Sequence, residues 1–161
     1  MPEVVCNTSP LQYLHQLGLL HLLPALAGKV IIPSAVADEL AVGRRAGIDV
    51  PEVELLEWIE VRQPASVAVL PLVTDLGPGE SQVLALALEM PGTVVIVDDF
   101  LARRTAEALH IHLTGTLGIL LAAKRASLIG EIAPILDHLQ ALRFRVSPAT
   151  RAAVLKLAGE S

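Results

Sequence analysis

Aromatic residues and cysteine are scarce in this chain of 161 residues. Aromatic side chains make up 2% of the sequence and hydrophobic residues 53%, so the core has to be aliphatic, which suits helices packed on a sheet of Val and Ile. Cys6 is the single cysteine, which excludes an internal disulfide and fits the reducing cytoplasm, where we expect the protein to reside. We expect residues 1–161 to form one domain with a sizeable core.

Positive charge and uninterrupted hydrophobic runs are also lacking. Twelve Lys and Arg against seventeen Asp and Glu give a net charge of -5, the wrong sign for a passive nucleic-acid binder, because phosphate affinity comes from clustered cations. A bound metal ion can supply that charge instead. Residues 8–28 carry no charged residue, but Gln12, His15, Gln16 and His21 make this stretch too polar to span a membrane. We therefore expect a soluble protein with no membrane partner.

The remaining pattern alternates strands with helices. Apolar runs predict strands at 4–6, 29–32, 59–62, 93–97 and 111–113. Helical spacing and turn residues predict helices after Pro10 as far as Gly28, with a break at Gly18, and at 34–42, 80–90, 100–109, 116–126, 131–142 and from 147 onward. This order predicts an α/β fold, a three-layer α/β/α sandwich with a mostly parallel central sheet.

Details of the helix starts and breaks follow from capping residues. Ser9 is predicted to cap the first helix with Pro10 at its first position, and Ser34 and Ser147 to cap two later ones. Residues 43–47 are predicted to be a break, and residues 52–58 can be helical. The helices from about residue 131 can either complete the core or form an accessory or dimer surface.

Polar residues follow two of the predicted strands directly. Asn7 ends the first strand, and Asp98 and Asp99 follow Val97. In open parallel sheets, sites form beyond the carboxyl ends of the strands. One of the two aspartates can cap the next helix, but two exceed what a cap needs, so the other can line a site; the sequence leaves the two roles open.

Two glutamates share a helix face with aliphatic residues. Glu39 follows Val36 and precedes Leu40 at helical spacing, which places a carboxylate in an apolar stripe, although it can also lie at the edge of the stripe and reach water. Glu80 occupies the first turn of the predicted helix 80–90, where it either serves a site or complements the helix dipole. Clustered carboxylates repel one another without a cation, and Mg²⁺ and Mn²⁺ prefer oxygen ligands.

These residues carry a family likeness. The chain resembles PIN-domain proteins, closest to a subgroup of uncharacterised prokaryotic PIN-like proteins of the toxin-type ribonuclease kind. The resemblance rests on five ordered blocks, which are Val4–Pro10, Ile31–Leu40, Gly77–Ala87, Val97–Arg103 and Gly115–Lys124. It implies a three-layer fold, RNA cleavage that depends on Mg²⁺ or Mn²⁺, frequent homodimers and, for many relatives, a small antitoxin protein as partner.

The resemblance also implies roles for particular residues. Carried over by position, Glu39, Glu80 and Asp99 are expected to be catalytic metal-site acids with Asp98 beside them, and Asn7 occupies the place of a first Asp. The expected substrate-binding residues are Thr8, Ser9, Thr116 and Arg103.

Asn7 is the departure from the family pattern. An amide oxygen can coordinate Mg²⁺ but brings no negative charge and cannot act as a base. The leading hypothesis is therefore a metal-dependent endoribonuclease. A more specific version of this hypothesis is that the protein is the toxin of a toxin–antitoxin pair. The alternative is a weakened or inactive PIN-like module that binds RNA or a protein. A third hypothesis, a small-molecule phosphohydrolase, predicts phosphatase activity and indifference to RNA.

Overall fold

The computed structural model describes residues 2–65 and 75–161. The strands are β1 (Val4–Cys6), β2 (Val30–Pro33), β3 (Ile59–Arg62), β4 (Val94–Ile96) and β5 (His112–Thr114). The helices are α1 (Thr8–Gln16), α2 (Leu22–Ala27), α3 (Ser34–Arg45), α4 (Pro78–Glu89), α5 (Phe100–Ala108), α6 (Thr116–Arg125), α7 (Ala133–Ala141) and α8 (Pro148–Leu157), with a single 3₁₀ turn at Val53–Leu55 among the described residues.

The five strands form one parallel sheet in the order β3-β2-β1-β4-β5. The chain leaves β1 toward β2 on one side and later returns to place β4 on the other side. The topological switch point therefore lies between β1 and β4, which is where open α/β sheets hold their ligands. The predicted α/β architecture with a parallel central sheet is confirmed.

The core is aliphatic, as the scarcity of aromatic residues requires. Val5, Ile32 and Val95 on the strands are completely buried. Leu136 and Leu139 of α7 are also completely buried, and Val154 of α8 is buried, so both helices help to complete the core. Within the two described ranges, the structure has no helix long and apolar enough to cross a bilayer.

Local starts and stops differ from the sequence prediction at several places. Helix α1 begins at Thr8 rather than after a Ser9 cap, and the residue before it, Asn7, makes no capping hydrogen bond with its side chain. Ser34 lies inside α3 and donates to Gln82 instead of capping. Helix α3 also continues through Gly43 to Arg45, so the predicted break at 43–47 begins only after Arg45.

The segment before β3 is less helical than the sequence allows. Only Val53–Leu55 forms a helical turn where residues 52–58 could be helical, and residues 66–74 lie outside the described residues. Trp58, the only tryptophan of the chain, packs against the core. Its carbonyl accepts a hydrogen bond from the Val30 N–H at 2.9 Å, so it lies at the amino end of the strands. The prediction that Ser147 caps a helix with Pro148 at its first position is confirmed.

Candidate active site

Two polar residues meet where β1 and β4 end. Cys6 pairs with Ile96 in the sheet register, and the Asn7 N–H donates to the Ile96 carbonyl at 3.0 Å. Asn7 is 3% exposed, and its Oδ1 is buried without a hydrogen-bond partner among the described residues. A buried polar atom without a partner is costly, and here it lies at the switch point of the sheet.

Asp98 is held at the same sheet edge by helix α6. The Thr116 N–H donates to Oδ1 at 2.8 Å, and the Thr116 hydroxyl donates to Oδ2 at 2.6 Å. Burial raises the pKa of Asp98, while the hydrogen bonds from Thr116, the nearby Arg103 guanidinium and a hydrogen bond from Ser9 act in the opposite direction. Burial prevails, so the structure keeps a carboxylate in a place that disfavours its charge.

The glycine before α6 makes this contact possible. A Cβ at Gly115 would stand 2.7 Å from Asp98 Oδ1 and 2.8 Å from Arg103 Nη1. Arg103 Nη1 in turn donates to the Val97 carbonyl at 2.9 Å. Arg103 and Thr116, both expected from the sequence to bind substrate, therefore hold the end of β4 and Asp98 in place.

Asp99 has a different role from its neighbour. Its side chain is exposed and accepts from the Ala102 N–H at 3.0 Å, which caps helix α5. The structure thus divides the two functions that the sequence left open. Asp99 caps a helix while also lining the cleft described below, and Asp98 is the half-buried aspartate at the strand end.

Glu39 connects helix α3 to the starts of α1 and α4. Its Oε2 accepts from the Thr8 hydroxyl at 2.5 Å, and its Oε1 accepts from the Gly79 N–H at 3.1 Å. A Cβ at Gly79 would stand 2.7 Å from Glu39 Oε1, so only glycine allows this approach. Glu39 is half-buried whereas the adjacent Asp38 is exposed, as the helical spacing predicts.

Glu80 faces an open cleft of about 380 Å³. The cleft is lined by Asn7, Ser9, Tyr13, Glu80, Asp98, Asp99, Arg143, Phe144 and Arg145. The structure therefore brings residues predicted from three separate segments to one surface. They are the expected metal-site residues Asn7, Glu80, Asp98 and Asp99 and the expected substrate-binding residue Ser9. Glu39 lies outside this lining but is tied to it through Thr8, which adjoins Asn7, and through Gly79, which adjoins Glu80.

The donor set at the cleft fits a divalent cation of the Mg²⁺ or Mn²⁺ kind. Glu80 and Asp98 offer carboxylate oxygens, and the unpartnered Asn7 Oδ1 offers a neutral one. In residues 2–65 and 75–161, no three His, Cys, Asp or Glu side chains are grouped closely enough to bind a metal by themselves. The oxygen ligands that the cleft offers are those of Asn7, Glu80 and Asp98, and the exposed Asp99 lines the same cleft. Mg²⁺ is often bound by one or two carboxylates plus water and substrate phosphate.

Four residues that line the cleft were not predicted from the sequence: Tyr13, Arg143, Phe144 and Arg145. The last three lie in the connection between α7 and α8, which no motif marks and which only the packing of the C-terminal helices brings to the sheet edge. Phe144 meets Tyr13 edge to face, with ring centroids 5.0 Å apart. The sequence did offer one indication for Tyr13 and Phe144, because a chain with only four aromatic residues makes each of them a candidate for a specific role.

Cys6 and the two histidines His110 and His112 are reactive residue types that do not line the cleft. Cys6 is completely buried and free, and burial, with a smaller contribution from Asp98, raises the pKa of its thiol. This agrees with a small apolar core residue rather than a nucleophile. His110 and His112 are exposed near the amino end of β5, at the opposite end of the sheet from Asp98.

The parallel sheet, with carboxylates and an amide in a cleft at its switch point, defines an open α/β protein with a polar site at the carboxyl ends of its strands. Comparison with known families makes this specific, since the DUF3368 family, a PIN domain, matches residues 3–160. The chain belongs to this family of PIN domains, whose members are generally nucleases that use divalent metals and bind nucleic acid.

A solved structure supports the same fold. The chain is similar to a PilT N-terminus domain protein from the hyperthermophilic archaeon Sulfolobus solfataricus P2, with a TM-score of 0.56 and 19% sequence identity. The similarity covers 74% of this chain and 92% of that one. A search of curated protein sequences finds no match. At this identity the structural similarity concerns the fold alone.

Proposed function

We propose that this protein is a metal-dependent endoribonuclease that hydrolyses RNA phosphodiester bonds at the cleft between β1 and β4. The observation that carries the proposal is the buried Asn7 Oδ1, which has no partner among the described residues and belongs to a residue lining the same cleft as Glu80 and Asp98. An oxygen left unpaired in this position is accounted for when an ion completes the site.

Each residue of the chain has a definable task in this proposal. Glu80, Asp98 and Asn7 would hold Mg²⁺ or Mn²⁺, which when bound supplies positive charge and Lewis acidity for phosphodiester hydrolysis. Thr116 fixes both oxygens of Asp98 with two hydrogen bonds.

A further acid and two cations complete the assignment. Glu39 holds the start of α4, and therefore Glu80, against Thr8. Arg143 and Arg145 line the cleft, where their charge would attract the phosphate backbone of a substrate.

The proposal also includes a biological role, a partner and an assembly for the enzyme. The PIN-domain family and its relation to toxin-type ribonucleases support a toxin restrained by a small antitoxin protein, acting on RNA in the cytoplasm, with a homodimer as the assembly. The physical basis for a restrained or slow enzyme is Asn7, because replacing one carboxylate by an amide lowers the negative charge available to the ion.

The same residue favours a second candidate function. With one acidic position neutral, the chain can serve as a PIN module that binds RNA or protein without cleaving it. The two candidate functions predict different effects of Mn²⁺ on the melting temperature, which rises with Mn²⁺ for the enzyme and does not change for the binding module. They can therefore be separated by a measurement that does not depend on knowing the RNA target.

The test follows the melting temperature while Mn²⁺ is titrated to millimolar concentration. The proposal predicts a rise in melting temperature with Mn²⁺ that Glu80→Gln abolishes and that the control Glu107→Gln, an exposed position on α5, retains. Cleavage of a fluorescent single-stranded RNA should follow the same pattern. A parent protein whose melting temperature ignores millimolar Mn²⁺, and which cleaves no RNA, contradicts the proposal and favours the binding module.

A further inference from the structure

The few aromatic residues of this chain are concentrated at one surface. Of the four in the sequence, Tyr13 and Phe144 line the acidic cleft, and Phe100 and Phe144 line a second depression beside it. Core packing does not explain Phe100, because the residue is 73% exposed. A large aromatic residue in that position is available for a ligand.

The second depression, here named the Phe100 groove, adjoins the cleft, with which it shares three lining residues. Its volume is about 520 Å³, and it is lined by Asp98, Phe100, Arg103, Leu113, Thr114, Gly115, Leu117, Gly118, Phe144, Arg145 and Thr150. Asp98, Phe144 and Arg145 belong to both depressions. A chain-like ligand with one linkage in the cleft therefore has a path into the groove.

Positive charge without partners lies along this path. In the part of the chain that the structure describes, neither Arg143 nor Arg145 makes an ion pair or a side-chain hydrogen bond. Arg143 also has a backbone φ of 72°, a left-handed conformation that favours glycine. His110 and Ser127 share this left-handed conformation, so the unpartnered charge of Arg143, and not its backbone, assigns it to this path.

We propose that the Phe100 groove is the subsite for the unpaired nucleotide next to the phosphate that occupies the cleft. The base of that nucleotide stacks on the Phe100 ring, over which Arg104 lies with its Cζ 5.7 Å from the ring centroid. Arg145 and Arg143 bind the phosphates on either side. This inference rests on the proposed function, since it places the RNA strand through the same cleft.

The chemistry of the groove favours a single strand over a duplex. Stacking on an aromatic side chain requires a base that is not already stacked in a helix, and proteins that bind single strands combine such platforms with cationic grooves. An acidic peptide would also meet the two arginines, but it would not need the exposed ring. Phe100 therefore distinguishes an unpaired nucleotide from a polypeptide.

The first experiment measures binding without requiring cleavage. A fluorescent single-stranded oligoribonucleotide is titrated with the full chain carrying Glu80→Gln, and anisotropy gives Kd. Adding Phe100→Ala should raise Kd by about 5- to 150-fold, the range expected for losing one base stack. Phe100→Trp should restore binding, whereas Leu55→Ala should have no effect, because Leu55 is equally exposed at 74% but lies before β3.

The arginines give a second readout that a structural role would not produce. Arg143→Gly should leave the melting temperature unchanged or raise it, because glycine adopts the left-handed conformation freely, while Kd rises. Arg145→Gln should weaken binding and flatten its salt dependence, and the control Arg125→Gln, exposed at the far end of α6, should not.

The outcomes separate this inference from the proposed function. If the parent cleaves RNA while Phe100→Ala changes neither Kd nor KM, the subsite is refuted and the nuclease stands. If Phe100→Ala weakens RNA binding in a parent that cleaves nothing, the subsite stands and the nuclease fails. Equal affinity for single-stranded and duplex RNA, or a preference for an acidic peptide that Phe100→Ala does not alter, also overturns the subsite.

Discussion

Asn7→Asp is the substitution that tests the site most directly, because it adds the missing carboxylate at a position that is 3% exposed. Without metal, the new charge lies in the same cleft as Asp98 and Glu80. Two unit charges about 4 Å apart repel by about 1 kcal/mol in water and about 4 kcal/mol near a protein surface. For a domain of this size, 1 kcal/mol corresponds to about 2–4 °C, so we expect the metal-free variant to melt at least about 2 °C below the parent.

With metal, the same substitution should act in the opposite direction. The attraction between one carboxylate and a divalent ion about 4 Å away is about 2 kcal/mol even with the dielectric of water, which corresponds to about 30-fold in Kd. The half-saturating Mn²⁺ concentration in a melting-temperature titration should fall by about that factor, and RNA cleavage at fixed Mn²⁺ should increase.

The reasoning depends on the opposite signs of these two effects. A variant that is destabilised equally with and without Mn²⁺ would show that residue 7 does not face the ion. Asp38→Asn, which changes an exposed carboxylate on α3, serves as the control for general charge effects and should shift neither quantity appreciably.

Three further predictions follow from the contacts around the cleft. Gly79→Ala should lower the melting temperature by less than about 2 °C, since only the flexible end of Glu39 must move away from the new Cβ. The same substitution should reduce the stabilisation by Mn²⁺, because Glu39 then no longer holds the start of α4. An unaltered Mn²⁺ response refutes this role of Glu39. Thr116→Val removes the hydroxyl donor to Asp98 and should cost about 1–3 kcal/mol in urea unfolding, whereas a neutral effect would show that this hydrogen bond is dispensable. Hydrogen bonds, of which that from Lys124 contributes most, lower the pKa of Glu160 to about 2. The stabilisation by the ionised Glu160 is therefore complete above about pH 4.5 and is lost as the pH falls toward 2. The difference in melting temperature between the parent and Glu160→Gln should close over that interval, and a difference that stays constant from pH 7 to 2 contradicts this assignment.

The sequence was sufficient to predict the sheet and the acidic segments. Buried strands such as 94–96 are short aliphatic runs whose character does not depend on distant residues, and the helical spacing around Glu39 is also a local property. The order of these elements then predicts which polar residues meet at the switch point. For this reason Asn7 and Asp98 could be expected to lie together before any coordinates were known.

The parts that were not predicted depend on tertiary contacts. Ser9 looks like a cap, but it lines the cleft and acts to lower the pKa of Asp98, which comes from the other half of the chain. The division between Asp98 and Asp99 depends on Thr116, which arrives from α6. Arg143 reaches the cleft only because the C-terminal helices pack back on the sheet, and its φ of 72° contradicts the usual preference for glycine there.

The placement of Trp58 makes the two ends of the sheet optically distinguishable. This indole packs on the core before β3, whereas the cleft contains a tyrosine and a phenylalanine but no tryptophan. Emission excited at the red edge of protein absorption therefore reports the loss of the whole fold and is insensitive to events at the acidic end. An oligonucleotide that changes this emission would have to act through the length of the sheet, and one that leaves it unchanged while binding tightly would be bound locally.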